Sequence, residues 1–259
     1  MPGILHPREA ERAFRFRDVP AAPGLAPFVA HHWIVAWDLR GREPHDQQVL
    51  PYPSVNVTFT AGRCRVAGVP KGRFTERIAG TGRVVGVRFR PGGFRPLIDS
   101  PVAAITDRFL PVDAVFGPAG RRLADAVVAA GDNEAVALVE EFLAARLPAR
   151  PDADADLVAA IVDRIVTDPA VTRVDRLVAD VGLGIRRAQR LFNEYVGVGP
   201  KWVIRRYRLH DAAARATGGD DLDLVRLAAD LGYSDQAHLT RDFTAMVGVP
   251  PARYARAQR

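Results

Sequence analysis

The chain has a single cysteine, Cys64, among 259 residues. Neither an intramolecular disulfide framework nor a Cys-rich zinc site can be built from it. Lysine is nearly missing too. It stands only at Lys71 and Lys201, so arginine supplies almost all of the 36 basic residues that oppose 30 acidic ones for a net charge of +6. Arginine stays charged and makes forked hydrogen bonds to phosphate and base edges. A charge of +6 alone is a weak pointer to an acidic partner, because a GC-rich genome also raises arginine and alanine at the expense of lysine. No apolar run reaches the ~18–20 residues of a membrane span. The start, MPGILHPREAERAF, is charged where a secretory signal needs an apolar stretch. The expectation is a cytoplasmic protein without a membrane partner. Serine is scarce and the histidines are scattered, so no nucleophile–base constellation supports an enzyme. What is present, 48% hydrophobic and 25% charged residues, is ordinary globular composition, and the length suggests two domains.

Two textures divide the chain. Residues 1–116 hold most of the aromatics and short segments of β character: HHWIVAWDL (31–39), SVNVTF (54–59), RCRVAGV (63–69) and RVVGVRF (83–89). Val55, Val57 and Phe59 alternate with Asn56 and Thr58, the period-2 pattern of a half-buried strand, and Val85, Val87 and Phe89 repeat it. Such a series predicts a small barrel or sandwich. From about 119 to 147 the pattern is helical, with a cap at Asp132 or Asn133 before the Val136, Val139, Phe142, Leu143 stripe. PARPDADAD (148–156) reads as a linker. The expected fold class is therefore α+β with two domains: a β-rich domain over 1–150 and an all-α domain over 151–259. In the latter, a helix ends before Asp168-Pro169, and Thr172 to Asp175 forms a loose capping box.

The last hundred residues contain a degenerate duplication. LVADVGLGIRRAQRLFNEYVGVGP (177–200) parallels LAADLGYSDQAHLTRDFTAMVGVPP (227–251). Leu177, Ala179, Asp180 and Gly182 match Leu227, Ala229, Asp230 and Gly232. Arg190, Phe192, Val196, Gly197, Val198 and Pro200 match Arg241, Phe243, Val247, Gly248, Val249 and Pro251. Each copy reads as a short helix, a turn containing glycine and a second helix, which is the helix-turn-helix signature. The expected units span about 172–197 and 222–248, joined by a connecting helix over about 200–216. Seventeen residues at 1.5 Å each give a strut of about 25 Å. With the widths of the flanking units added, the two second helices stand about one DNA turn, ~34–36 Å, apart.

A helical wheel sorts the second helix of each unit. Ala188, Leu191, Phe192 and Tyr195 fall inward, while Arg186, Gln189, Arg190 and Asn193 fall outward with Arg187 beside them. Leu239, Phe243, Met246 and Val247 fall inward in the other copy, with Ala237, His238 and Arg241 outward and Gln236 in the first turn. Arg, Gln and Asn carry the donors and acceptors that suit base edges. A solvated polar face is the bland alternative for any surface helix. Local charge tips the balance. Ile185 to Arg215 carries eight cations against Glu194 and Asp211, a surplus of +6 within a C-terminal region (152–259) of 16 cations and 15 anions. Several of these cations are expected on phosphates, and Asp242 is expected to pair with a nearby arginine.

These residues resemble the AraC/XylS family of bacterial transcription regulators. LVADVGLG, RRAQRLF and VGVGPKWVIRRYRL in the first unit carry the likeness, as do LAADLGYSDQAHLTRDF and VGVPPARY in the second. The resemblance covers about 155–259. It implies that Arg186, Gln189 and Arg190, and Gln236, Ala237, His238 and Arg241, face the major groove. Gly184 departs from it, standing where the family usually has a capping serine. LPYPSVNVTF (50–59) and GVRFRPGGFRPLI (86–98) resemble the uncharacterised N-terminal domain of actinobacterial regulators. Domains at that place in the wider family are often cupin-like barrels that bind a small effector or dimerise. The resemblance thus implies a regulator whose partner is double-stranded promoter DNA, and it leaves open whether the chain is an activator or a repressor and whether it takes a small-molecule effector, contacts RNA polymerase or pairs with a second copy of the chain. No cofactor is expected.

The N-terminal domain offers weaker signals. His31, His32 and His45 invite a metal, but neighbouring residues of a strand point to opposite faces, so no metal site is expected. Trp33, Trp37, Phe59, Phe74 and Phe89 suit either an effector pocket or a core. Arg88, Arg90 and the Gly92-Gly93 turn hint at an anion site, and Cys64 reads as an inert strand cysteine. Two rival readings remain: a barrel enzyme with an accessory DNA-binding tandem, and a protein-interaction module.

Overall fold

The structure is a computed structural model that describes residues 3–217 and 222–258. A short helix, α1 (Pro7–Ala13), precedes the strands β1 (Arg15–Val19), β2 (Val29–Leu39), β3 (His45–Val49), β4 (Asn56–Phe59), β5 (Arg65–Ala67), β6 (Phe74–Ile78), β7 (Gly80–Phe89) and β8 (Phe109–Pro111). Helices follow: α2 (Val112–Ala129), α3 (Asp132–Ala144), α4 (Ala153–Thr167), α5 (Val174–Ala179), α6 (Ile185–Tyr195), α7 (Pro200–Thr217), α8 (Leu224–Asp230), α9 (Gln236–Val247) and α10 (Pro251–Ala257). Among the described residues, no helix is long and apolar enough to cross a membrane.

Six strands form an antiparallel sheet in the order β1-β2-β7-β4-β5-β8, and β3 pairs with β6 in a separate two-stranded sheet. Among the described residues β1 and β8 are the edges of the larger sheet and do not pair with each other, so strand pairing does not confirm the cupin-like barrel that the resemblance implied. The region is β-rich all the same, and a helical part follows it.

Period-2 alternation gives the large sheet two unlike faces. Ile34, Val57, Phe59, Val66, Val85, Val87 and Phe89 point one way and share a core with Leu123 and Val127 of α2 and Val136, Val139 and Leu143 of α3. Each such fully buried side chain contributes roughly 1.5–3 kcal/mol. His32 also lies on this face, fully buried, and its Nε2 meets Glu140 Oε1 of α3 at 3.1 Å. The other face, with its polar and aromatic residues, does not meet solvent freely. The β3–β6 pair covers it.

Local signals set most of the helix ends. Asp152 caps α4 by accepting from Ala155 N at 2.8 Å, and Pro169 follows its end. Gly117 (φ 61°) and Pro118 kink α2, which begins at Val112 instead of near 119. Gly131, not Asp132 or Asn133, is the N-cap of α3. The capping box at Thr172 does not form. Arg173 occupies the cap position of α5 without a side-chain cap bond, and Asp175 pairs with Arg173 at 2.8 Å. Pro200 and Pro251 open α7 and α10.

Helix α7 is the common spine of the helical part. Val203 and Ile204 belong to a core with α4, α5 and α6. Leu209, Ala212, Ala213 and Ala216 belong to another with α8, α9 and α10. The β-rich region enters both cores, through Val69 in the first and Leu5 and Leu50 in the second. Thr106 Oγ1 donates to Gly197 O at 2.7 Å, Arg95 pairs with Glu194 at 2.6 Å, and Gln48 Nε2 donates to Met246 O at 3.3 Å. Each helical unit is therefore docked on the β-rich region by contacts of its own.

Candidate nucleic-acid interface

The two helical units are built by the same backbone bonds. Gly182 (φ 64°) and Gly232 (φ 70°) follow α5 and α8 in the left-handed region that favours glycine. Leu183 N donates to Val178 O and Gly182 N to Ala179 O, at 2.8 and 3.1 Å. Tyr233 N to Ala228 O and Gly232 N to Ala229 O repeat them at 2.9 and 3.1 Å. This is the Schellman termination, and in both copies it turns the chain into a second helix. Asp223 caps α8 through Val225 N and Arg226 N, and Asp235 caps α9 through His238 N at 2.7 Å. That amide holds the Asp235 carboxyl below its ordinary range. Gly184 begins α6 with no side-chain cap.

Helix α6 buries Ala188, Leu191 and Phe192 and leaves Arg186, Arg187, Gln189, Arg190 and Asn193 exposed. Arg186 and Arg190 have no ion-pair partner among the described residues, while Arg187 lies 3.4 Å from Asp154 at the start of α4. Helix α9 buries Leu239, Phe243 and Val247 and exposes Gln236, Ala237 and Arg241. His238 is less free. Its Nδ1 meets Ser234 Oγ at 3.1 Å, its Nε2 lies 3.8 Å from Asp242, and its ring meets the edge of Tyr233. Asp242 takes both branches of Arg205, at 3.0 and 2.5 Å. Ile185, the first residue of α6, is 45% exposed beside Arg186. On the wheel it falls beside Phe192 at the border of the inward set, but in the first turn it is exposed and its apolar tip suits a thymine methyl.

The basic stretch divides into two kinds of arginine. Arg206 and Arg208 are only 2% exposed and are not available to phosphate. Arg208 donates to the carbonyls of Ile165, Asp168 and Val171 at 2.8–3.2 Å and so satisfies the chain leaving α4. Arg206 donates to Lys71 O at 2.8 Å and lies over Trp202, and burial pushes its pKa down to about 10. Arg215 pairs with Asp230 at 2.8 Å. The surplus of +6 is therefore partly structural.

A second concave site lies under the β3–β6 pair, a cavity of about 230 Å³. Trp33, Trp37, Phe74, His31 and Arg88 line it, whereas Phe59 and Phe89 belong to the core on the opposite sheet face. His31 Nδ1 lies 2.7 Å from Asp18, and His45 Nε2 lies 3.1 Å from Gln47 Oε1. Among the described residues, no three His, Cys, Asp or Glu side chains group to hold a metal ion. Arg90 donates to Ala26 O at 2.7 Å instead of facing an anion. Cys64 is half-buried and its burial pushes the thiol pKa up.

Residues 177–257 match the family described as a helix-turn-helix domain, and residues 17–111 match a domain of unknown function (DUF6597). No curated protein matches the chain. Among solved structures, ToxT from Vibrio cholerae O395 bound to (E)-4-(8-methylnaphthalen-1-yl)but-3-enoic acid is similar at a TM-score of 0.44 and 10% identity. The match covers 84% of this chain and 99% of that one. ToxT from Vibrio cholerae strain SCE256 with a bound unsaturated fatty acid gives 0.39 and 9%, over 94% and 91% of the two chains. Likeness that loose transfers neither mechanism nor ligand to this chain. The helix-turn-helix match spans both second helices, α6 and α9, and the strut α7 between them.

Proposed function

We propose, from a C-terminal part that is an AraC-type helix-turn-helix domain, that the chain is a sequence-specific regulator setting α6 and α9 into successive major-groove segments. The observation that carries this is the duplicated unit. Both second helices bury an apolar face and leave Arg186, Gln189, Arg190 and Asn193, and Gln236, Ala237 and Arg241, exposed. Helix α7, of 18 residues, is about 27 Å long at 1.5 Å per residue. With the units at its ends, that length suits one turn of duplex. Arg187 would exchange Asp154 for phosphate, and His238 would contribute through the edge of its ring. Ile185 joins the groove-facing set.

The reading divides the chain near residue 150, with a sensing domain before the DNA-binding domain. The cavity under β3–β6 supports a small-molecule effector. RNA polymerase contact, activation or repression, and pairing of two copies rest on the family resemblance alone, which leaves them open. The test is a mobility-shift titration of the full chain against duplexes from its own upstream region and against shuffled duplexes, at two salt concentrations. Specific binding should exceed non-specific binding by about 10³ or more and weaken as salt rises. Equal affinity for every duplex rejects sequence-specific regulation.

A further inference from the structure

The floor of the cavity is ruled into rows by strand register. His31 of β2, Arg88 of β7 and Asn56 of β4 stand side by side, and the next row holds Trp33, Gly86 and Thr58. Trp37 stands opposite Gly82. A Cβ at Gly86 would lie 2.1 Å from the Trp33 ring, and one at Gly82 would lie 2.2 Å from the Trp37 ring. The indoles therefore rest flat against bare stretches of β7, and their free faces line the cavity. Trp33 Nε1 reaches toward Asn56 Oδ1 at 3.4 Å, which fixes the ring's direction. One end of the site is polar and the rest is flat and aromatic.

Charge in the cavity is unbalanced. Arg63 and Arg65 share the one carboxylate of Glu76. Arg88 has no carboxylate partner among the described residues, and its guanidinium lies over the Tyr52 ring at 4.5 Å. His31, opposite Arg88, has its pKa lowered by burial and then by Arg88 itself, so it favours the neutral ring and leaves Arg88 as the cation of that row. A half-buried guanidinium among aromatic walls favours an anion that can take its fork in two parallel bonds, which is carboxylate geometry. A cationic guest would meet Arg88 head-on. The volume of about 230 Å³ falls below the ~300–1,000 Å³ of drug-sized pockets, which limits the guest to one or two rings.

Resting on the reading that the N-terminal domain takes a small molecule, we propose that this cavity binds a planar aromatic monocarboxylate, its carboxylate on Arg88 and its ring on the indoles of Trp33 and Trp37. The site connects to the helical part. The Tyr52 ring under Arg88 also stacks on His210 of α7, with centroids 3.9 Å apart and planes at 19°, and it neighbours Tyr207 at 6.0 Å. A carboxylate drawing on Arg88 thus acts on a ring that touches the strut between the two helix-turn-helix units.

The test titrates the full-length protein with benzoate and indole-3-carboxylate, with benzamide and indole-3-carboxamide as neutral isosteres, and with octanoate as a flexible acid. Heat of binding and tryptophan emission are both followed. Saturable binding of the aromatic acids, with altered emission and at least tenfold preference over the amides and octanoate, is the expected result. Arg88→Met should erase the preference of acid over amide. Should that variant fail to fold, the comparison of ligands on the unmodified chain still decides. Equal binding of acid and amide, or octanoate equal to the ring acids, keeps a small-molecule site but rejects this class of ligand. No saturation with any of the five probes rejects the site as well. DNA binding measured without ligand tells either failure apart from failure of the regulatory reading.

Discussion

A missing side chain at residue 86 decides where Trp33 lies. Gly86→Ala places a Cβ 2.1 Å from atoms of the indole, and the ring must leave β7 or the strand must bend. Overpacking of this kind costs about 1–3 kcal/mol. Urea unfolding of Gly86→Ala should show a loss in that range together with a shifted tryptophan emission. Gly24→Ala, where nothing stands within 4 Å of the added Cβ, is the control and should change stability by no more than about 0.5 kcal/mol. The arginines obey the same rule that position outweighs type. Arg190→Ala and Arg241→Ala remove exposed cations that have no ion-pair partner among the described residues, so each should weaken specific DNA binding by about 1–3 kcal/mol if it reads a base. The melting temperature should stay in place. Losses below a few tenths in the mobility shift would remove them from the interface. Arg208, of the same type and in the same basic stretch, is bound to three backbone carbonyls and belongs to the fold.

At the scale of the element, the recognition helices start differently. Asp235 has a carboxylate on His238 N, whereas Gly184 leaves the first amides of α6 without a side-chain acceptor. Asp235→Ala should cost ~1 kcal/mol, while Gly184→Ser should gain only a few tenths. Thermal unfolding, with amide exchange at the first turn of each helix, measures both. The helix-turn-helix units were legible from sequence because their signals are local: a 3.6-residue apolar period, a left-handed glycine after the first helix and a copy of each 50 residues away. The outward faces of α6 and α9 were legible for the same reason. The strands were only half legible. HDQQV of β3 and FTERI of β6 show little apolar alternation, and they form strands because they pair with each other and close over a cavity. Gln47 is buried there because Leu5 O and Gln48 O accept from its amide. The alternation in NVTF correctly gave two faces, but what covers Asn56 and Thr58 lies far away in sequence. Likewise, nothing local in RRYR separates the exposed Arg205 from the buried Arg206 and Arg208. That separation is set by tertiary packing: the β-rich region meets Arg206 at Lys71 O, and the chain leaving α4 meets Arg208 at the carbonyls of Ile165, Asp168 and Val171.

For the whole molecule, the seam between the β-rich region and α7 contains a histidine that the fold keeps neutral. His210 stacks on Tyr52, and its Nε2 lies 3.3 Å from Pro51 O, an acceptor that only a protonated nitrogen can use. Burial pushes its pKa down to about 3, and the Arg206 and Arg88 charges add to the shift against the Pro51 bond. An unfolded histidine titrates near 6.5. Below that pH the unfolded chain takes up a proton that the folded chain refuses, so stability falls as pH drops from about 6.5 toward 3 and is unaffected by this group above 6.5. At pH 5 the loss from His210 amounts to about 2 kcal/mol. His31 and His32, also lowered by burial, act in the same direction. Urea unfolding at pH 7 and pH 5 should therefore give a difference of about 2 kcal/mol or more. His210→Gln, whose amide can still donate to Pro51 O, should remove most of the His210 share. An unchanged difference in that variant would show that acid acts elsewhere, and the stack on Tyr52 would then be a packing contact without a titrating partner.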